Sequence, residues 1–213
     1  MAELNFIHII DYLGTFAFAI SGIRLASAKQ FDWFGAYVVG LVTAIGGGTI
    51  RDLLLSVTPF WMLQPSYLIV TGIALLSVIL FGKYLIRLKN TFFIFDAIGL
   101  GLFVVVGIEK SLAAGFPFWV AILMGMITGS AGGVIRDILI NEVPLIFRKD
   151  IYALACVIGG LVYLGCYKLS FRAEITQLLA AISIIVTRIL AVRYHISIPV
   201  LKGNDDENPS KIL

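Results

Sequence analysis

The chain has 213 residues, of which 60% are hydrophobic and 14% are charged, and its mean hydropathy is +1.00. An ordinary soluble domain carries about 25% charged residues, so this composition excludes a soluble protein and predicts an integral membrane protein. The net charge of +3 does not indicate nucleic-acid binding, because the basic residues lie mostly in loops between apolar segments. We therefore expect a single, all-α transmembrane domain over residues 1–201.

Seven apolar segments, separated by short polar or Pro-containing connectors, predict seven transmembrane helices. They cover residues 6–23, 33–56, 66–86, 92–109, 117–141, 151–169 and 174–194. Residues 202–213 are polar and predict a flexible cytoplasmic tail. The first segment lacks a preceding basic stretch and contains Asp11, so we expect it to remain as a helix rather than to be cleaved as a signal peptide.

The first three segments return as the next three, shifted by 85 positions. Gly-Gly-Gly-Thr-Ile-Arg-Asp at residues 46–52 matches Ala-Gly-Gly-Val-Ile-Arg-Asp at residues 131–137. Chance similarity between apolar helices would match Leu and Val rather than Asp, Arg and Gly. We interpret the pattern as a duplication, with repeat one at about 6–88, repeat two at about 91–172 and a seventh helix at about 174–195.

The number of helices in each repeat predicts how the repeats are related. Three is odd, so the second repeat must enter the membrane from the side opposite to the first. Inverted repeats are related by a pseudo-two-fold axis in the membrane plane, which brings equivalent mid-helix positions together near the bilayer centre. We therefore predict two inverted three-helix repeats that share a central site.

Loop charges predict the orientation of this arrangement in a cell (inner) membrane. The basic residues on one side are Arg24, Lys29, Lys83, Arg87, Lys89, Arg148, Lys149, Arg193, Lys202 and Lys211. The other side holds Lys110, Lys168 and Arg172. Because cytoplasmic loops are enriched in Lys and Arg, we expect an extracytoplasmic N-terminus and a cytoplasmic C-terminus.

The repeated motif predicts a weak point in the second and fifth helices. Each glycine costs a helix roughly 1 kcal/mol relative to alanine, so we expect the helices to break at residues 46–48 and 132–133. The four charges that follow would cost on the order of 10 kcal/mol together in lipid and must therefore face the protein interior. We expect Asp52 and Asp137 to begin the second half of each broken helix, where the helix dipole stabilises a carboxylate.

Two interpretations of the motif remain open. The four charges could form a closed ion-pair lock that only holds the repeats together. Alternatively, the glycines, charges and nearby hydroxyls line a hydrated ion pathway, which we favour because Thr43 and Thr128 precede the glycines by one turn. The pathway residues are Thr43, Gly46, Gly47, Gly48, Thr49, Arg51, Asp52, Thr128, Ser130, Gly132, Gly133, Arg136 and Asp137.

Three further charges lie outside the motif. Asp11 and Asp96 occupy equivalent positions near the start of the first helix of each repeat. They are either interfacial carboxylates at a helix start or vestibule charges that attract cations. We expect Arg188, in the last helix, to snorkel towards the cytoplasm.

The sequence predicts no cofactor and no structural or catalytic metal. His8 and His195 lie near helix ends without Cys or carboxylate partners at metal-ligand spacing. Neither repeat contains a phosphate-binding loop, so no nucleotide is expected. A membrane enzyme would need a nucleophile, base or metal constellation, and none is visible.

Tandem three-helix repeats, each with a Gly-Gly-x-x-Arg-Asp element in its second helix, and an additional seventh helix resemble the prokaryotic members of the trimeric intracellular cation channel family. The repeat unit of that family has also been described as a glycine transporter domain, and the resemblance covers about residues 5–195. It implies a homotrimer among membrane lipids with one pore in each subunit, permeable to potassium and also to sodium, and lined by the kinked second and fifth helices.

The physical chemistry of the residues leaves a second function open. A secondary transporter of a small amino acid such as glycine could use the same central site, with half-helix N-termini and Arg51 or Arg136 holding the carboxylate. Helix N-termini and arginines favour anions, whereas carbonyls and aspartates favour cations. The family resemblance decides in favour of a passive cation channel.

Overall fold

The structure, a computed structural model, describes residues 6–87, 91–148, 151–197 and 199, and these are mainly helical. The helices are α1 (Phe6–Ala28), α2 (Trp33–Leu54), α3 (Phe60–Leu63), α4 (Ser66–Arg87), α5 (Thr91–Ala113), α6 (Phe118–Leu139), α7 (Ala153–Lys168) and α8 (Ala173–Arg193). A short 3₁₀ helix, Leu145–Phe147, precedes α7. The predicted tail at 202–213 lies outside the described residues, as do Lys89, Lys149, Lys202 and Lys211, and the side chains of Lys83 and Arg87 are not described.

Five of the helices, α1, α2, α5, α6 and α8, are long and apolar enough to cross a membrane. Two more contain shorter apolar segments, Ser66–Gly82 in α4 and Ala153–Lys168 in α7. The predicted all-helical membrane protein is confirmed. That all seven long helices cross the bilayer stays a prediction.

The duplication is visible in the helix boundaries. The C-terminal end of α1 and both ends of α2 reappear 85 residues later in α5 and α6, and the short α3 corresponds to the 3₁₀ helix. The helix ends use the same chemistry in both repeats, because Ser56 and Asn141, at equivalent positions, have φ values of 57°. A residue in this left-handed region ends a helix and lets the next N–H bond back to it, as Val57 does to the Asp52 carbonyl.

Four helices form the centre of the molecule. α1 and α2 of repeat one pack against α5 and α6 of repeat two, while α4 and α7 lie outside them and α8 covers α5 and α7. The contacts are reciprocal, since Gly14 of α1 meets the ring of Phe103, and Gly99 of α5 meets the ring of Phe18. Reciprocal contacts between equivalent residues are the mark of a two-fold relation.

Equivalent helices run in opposite directions. Asp11, near the start of α1, lines a cavity with Lys110, near the end of α5. Leu25, near the end of α1, lines a different cavity with Phe92, near the start of α5. The pseudo-two-fold axis therefore lies across the helices, and the two repeats point in opposite directions.

Candidate functional site

The repeated glycines lie where α2 crosses α6. A Cβ atom added to Gly47 would overlap the carbonyl oxygen of Thr128, and one added to Gly132 would overlap the carbonyl oxygen of Thr43. The two backbones are therefore in direct contact, at a distance that only glycine allows. The predicted central meeting point of the repeats is a helix–helix contact.

The prediction that the second and fifth transmembrane helices, α2 and α6, break at these glycines is wrong. α2 and α6 are hydrogen-bonded helices from Trp33 to Leu54 and from Phe118 to Leu139. The physical reason is that small residues also serve close packing between membrane helices. Here the packing of α2 on α6 offsets the low helix propensity of glycine. Gly46 belongs to the same contact, because its Cβ position lies 3.1 Å from the side chain of Ile135.

Two buried threonines flank the crossing. Thr43 and Thr128 are fully buried, and their hydroxyls donate to the carbonyl oxygens of Val39 and Met124, one turn earlier, at 2.6 Å in both repeats. Each hydroxyl oxygen keeps acceptor capacity after this bond. The structure thus places two oxygen acceptors beside the contact, packed against glycines of α1 and α5.

The other two predicted hydroxyls also bond to their own helices. Thr49 donates to the Ile45 carbonyl oxygen at 2.8 Å and accepts a hydrogen bond from Trp61 Nε1 at 3.0 Å. Ser130 donates to the Met126 carbonyl oxygen at 2.7 Å. Thr49 and Ser130 are not equivalent in the duplication, so each hydroxyl is present in one repeat only.

The charged pair of repeat one is closed on itself and buried. Arg51 Nε donates to Asp52 Oδ1 at 2.8 Å, and Arg51 Nη2 lies 2.7 Å from the same oxygen. The second carboxylate oxygen, Asp52 Oδ2, accepts the backbone N–H of Phe60 at 2.9 Å. The ring of Phe60 also lies 5.6 Å from the Arg51 guanidinium carbon, so the pair fixes the start of α3 as well as itself.

The charged pair of repeat two has additional partners. Arg136 Nε donates to Asp137 Oδ1 at 2.9 Å, and Arg136 Nη1 donates to Asp96 Oδ1 at 2.5 Å and to Ser21 Oγ at 2.8 Å. Asp137 Oδ2 accepts the backbone N–H of Leu145 at 3.0 Å, as its counterpart does for Phe60. One guanidinium therefore holds two carboxylates, and its bond to Ser21 joins the two repeats.

Asp52 and Asp137 do not begin a half-helix as predicted. They lie in the last turn of α2 and α6, two residues before the helix ends. This is the negative end of the helix dipole, which disfavours a carboxylate. The neighbouring arginine and the first backbone N–H of the next short helix offset this unfavourable interaction. Each aspartate therefore connects the end of its long helix to the start of the short helix that follows.

Asp11 and Asp96 are both buried. Asp11 is 4% exposed and accepts a hydrogen bond from the Tyr67 hydroxyl at 2.8 Å, while Asp96 is fully buried in the Arg136 cluster. Each described helix extends one to two turns before its aspartate, which places the carboxylate within the bundle. The choice between an interfacial and a vestibule charge stays a prediction.

Two cavities open at opposite ends of the molecule, and they are repeat equivalents of one another. The first, of about 390 Å³, is lined by Asp11, Asp52, Tyr67 and Lys110 among others. The second, of about 360 Å³, is lined by Lys29, Arg136, Asp137, Glu142 and Arg148 among others. The charged clusters thus lie at two separate cavity openings, the two mouths of the molecule. Of the predicted pathway residues, Gly46, Gly47, Gly132, Thr43 and Thr128 meet at the crossing between them, whereas Gly48 faces Phe60 and Gly133 faces Tyr152.

Sequence reasoning missed several residues of the site. Tyr67 and its counterpart Tyr152 are buried beside the charges, and Lys110 Nζ lies 5.2 Å above the Phe60 ring. The Tyr67 and Tyr152 identity across the repeats was the available signal. Arg188 does not snorkel: it is 1% exposed and donates to the Ile151 carbonyl oxygen at 3.1 Å, because aromatic rings of other helices stack on it.

Comparison with known proteins gives the same duplication. The family described as Glycine transporter matches the chain twice, over residues 8–83 and 93–168. The UPF0126 inner membrane protein YadS of Escherichia coli is 40% identical over 193 residues, covering 89% of this chain and 93% of that protein. A UPF0126 membrane protein of Vibrio cholerae is 40% identical over 199 residues, covering 92% of this chain and 83% of that protein.

Solved structures share the fold. A trimeric intracellular cation (TRIC) channel orthologue from Rhodobacter sphaeroides superposes with a TM-score of 0.82 at 32% identity, covering 89% of this chain and 98% of that one. A prokaryotic TRIC channel crystallised in 0.5 M KCl gives 0.82 at 30% identity, with 90% and 98% covered. Another TRIC cation channel structure, concerned with conductance, gives 0.81 at 36% identity, with 92% and 97% covered.

Proposed function

Because the chain belongs to the TRIC channel family, whose repeat is the one described as Glycine transporter, we propose that it is a passive monovalent cation channel. It passes potassium and also sodium through one pore in each subunit of a homotrimer. The observation that carries the proposal is the likeness over nine tenths of the chain to solved cation channels at 30–36% identity. Those relatives are channels rather than enzymes.

The two cavities support a route through each subunit. One carboxylate-bearing cavity opens at each end, and the crossing of α2 and α6 lies between them. The pathway residues divide accordingly. Asp52, paired with Arg51, lines one cavity, and Arg136 and Asp137 line the other. Gly46, Gly47, Gly132, Thr43 and Thr128 form the centre. In the first cavity the carboxylates of Asp11 and Asp52 outnumber Lys110 and raise the local cation concentration, whereas the second cavity carries three basic residues and two carboxylates.

The centre of this route is closed where Gly47 and Gly132 bring the two backbones into contact. Conduction therefore requires α2 and α6 to separate by bending or sliding. Glycine-rich segments suit this movement because they oppose bending less than other residues do. In the separated state the oxygens of Thr43 and Thr128 become available to an ion, which prefers oxygen ligands.

The relatives are described as membrane or inner membrane proteins. We propose a single transmembrane domain in a bacterial-type inner membrane, with the N-terminus outside and the C-terminus inside, as the positive-inside rule predicts. Exposed apolar side chains along α4 and α8 would face lipid or neighbouring subunits: Ile69, Ile73, Leu76, Leu80, Ile175, Leu178, Ile182 and Ile189.

The trimer is tested by the mass of the purified particle, from which the bound detergent is subtracted. The expected protein mass is near three times 23.3 kDa.

A glycine carrier is the second candidate, favoured by the description of the matching family. The structure gives it less support than the sequence does. α2 and α6 run without interruption past the midpoint, so they offer no half-helix N-terminus to hold a carboxylate there.

Recordings from purified protein in planar bilayers test the proposal. With a potassium chloride gradient, a cation channel gives a current whose reversal potential moves towards that of potassium. Saturable uptake of labelled glycine without ionic current would instead establish the carrier. Absence of both activities in a correctly assembled trimer would remove the proposed function.

A further inference from the structure

Repeat two contains a buried polar pocket on the face of Gly133. A Cβ atom at this glycine would lie 3.1 Å from the Tyr152 hydroxyl, 3.6 Å from Arg136 Nη2 and 3.8 Å from Asp96 Oδ1. The three side chains are at most 2% exposed. Three polar groups from three elements, α5, α6 and the start of α7, therefore converge on one small space.

Each of these side chains has a polar atom left over. Tyr152 Oη, Arg136 Nη2 and Asp96 Oδ2 are buried and have no hydrogen-bond partner in the described part of the chain. Buried polar groups in proteins are nearly always paired, because an unpaired one loses its hydration without compensation. Two of these atoms, Tyr152 Oη and Arg136 Nη2, lie beside Gly133, and the third belongs to the Asp96 carboxylate whose other oxygen lies there, so the three unpaired atoms point to a common partner.

The equivalent site in repeat one has different contacts. There the Tyr67 hydroxyl donates directly to Asp11 Oδ2 at 2.8 Å, and the ring of Phe60 covers Gly48. The residue equivalent to Phe60 in repeat two is Leu145. Among the described residues, no aromatic ring covers the glycine there: the nearest atom to the Gly133 Cβ position is the Tyr152 hydroxyl at 3.1 Å, whereas the Phe60 ring lies 2.4 Å from the Gly48 Cβ position.

The chemistry of the three atoms selects the partner. Asp96 Oδ2 requires a donor, Arg136 Nη2 requires an acceptor, and the tyrosine hydroxyl can be either. The guanidinium repels a cation and the carboxylate repels an anion. A neutral ligand with donors and acceptors satisfies all three, and the tight surroundings of Gly133 favour the smallest such ligand, a water molecule.

We propose that repeat two binds a buried water molecule between Asp96, Arg136 and Tyr152, at a site that repeat one lacks. Buried waters typically make about three hydrogen bonds to otherwise unpaired groups, which is the number offered here. The proposal concerns binding at this pocket and does not depend on ion conduction. A protein without measurable current would leave it untouched.

The tyrosines provide a matched pair of variants, Tyr152→Phe and Tyr67→Phe, measured as thermal unfolding of the intact detergent-solubilised protein. If water pairs the Tyr152 hydroxyl, removing the hydroxyl breaks hydrogen bonds and Tm falls by roughly 2–4 °C, as we expect for Tyr67→Phe. If the pocket is dry, the hydroxyl is unpaired and its removal raises Tm. A rise with Tyr152→Phe beside a fall with Tyr67→Phe overturns the proposal.

Gly133→Ala gives an independent check, with Gly72→Ala as control because a Cβ at Gly72 meets nothing within 4 Å. In a Tyr152→Phe background the methyl no longer crowds a hydroxyl 3.1 Å away. There alanine at 133 lowers Tm if it displaces a water bound to Asp96 and Arg136, and raises Tm through helix propensity if the pocket is dry, as Gly72→Ala does. A high-resolution structure should show one peak within hydrogen-bond distance of all three atoms. A direct bond from Tyr152 to Asp96, or a bound ion, would contradict the proposal.

Discussion

The first and second repeats share a backbone plan and an Arg-Asp pair but surround that pair differently. Arg51 holds one carboxylate and lies beside an aromatic ring, whereas Arg136 holds two carboxylates and a serine of the other repeat. Asp11 faces a cavity, while its counterpart Asp96 is locked to Arg136. The duplication thus preserves the helix contacts at the centre and lets the two mouths diverge in charge.

The largest difference between the repeats should appear when each arginine is replaced by methionine. Arg136→Met leaves two buried carboxylates, Asp96 and Asp137, without their shared cation, although Asp137 still accepts the Leu145 N–H, and this should cost about 3–5 kcal/mol. Arg51→Met leaves one carboxylate, which still accepts the Phe60 N–H, so we expect a smaller loss. Denaturant unfolding of the purified protein measures both. Adding Asp96→Asn should partly rescue Arg136→Met, and equal losses for the two arginine variants would contradict the contrast.

Substitutions at the glycine contact between α2 and α6 should have similar effects in the two repeats. Gly47→Ala and Gly132→Ala each place a methyl group against a carbonyl oxygen of the opposite helix, so each should lower stability by about 1–3 kcal/mol. Both should also shift the open probability in bilayer recordings, because the closed contact is lost. Gly72→Ala, in open surroundings on α4, should be neutral or stabilising. Different effects of the two central variants would break the pseudo-symmetry.

The mouths should respond unequally to loss of their first-helix carboxylates. Asp11→Asn removes a charge from a cavity wall, and we expect cation conductance to fall by a factor of about two to ten with little effect on folding. Asp96→Asn weakens the Arg136 cluster and should reduce stability first. Single-channel current and unfolding temperature, measured on both variants, separate these outcomes. A conductance loss confined to Asp96→Asn would reverse the assignment.

The smallest effect concerns a surface bridge found in one mouth. Lys29 Nζ lies 2.7 Å from Glu142 Oε1, whereas the equivalent residues in the other repeat are Ala114 and Val57. The hydrogen bond and charge of Lys29 lower the pKa of Glu142 below its usual value of 4.5. The bridge therefore contributes above pH 4.5 and is lost as the pH falls further. Lys29→Met should remove this part of the acid sensitivity in unfolding measurements, and an unchanged pH profile would show that the bridge contributes nothing.

Much of the fold follows from the sequence because the duplication repeats helix boundaries as well as residues. The apolar segments found each long helix but not its exact ends, since the segments at 6–23 and 92–109 are shorter than the observed helices Phe6–Ala28 and Thr91–Ala113. The glycines were misinterpreted because helix propensity is local, whereas the contact of Gly47 with the carbonyl of Thr128 depends on a helix 81 positions away. Arg188 was misplaced for the same reason, since Phe93 and Tyr152 stack on it from other helices.

The central claim is that ions cross each subunit where α2 meets α6, and cysteine accessibility during conduction tests it most directly. Thr43→Cys is prepared in a Cys156→Ala and Cys166→Ala background, with Thr71→Cys, equally buried on α4, as control. We predict that a cationic thiol reagent blocks the current of Thr43→Cys when the channel opens and leaves Thr71→Cys unaffected. Sustained potassium current with an unmodified Thr43→Cys thiol would contradict the account.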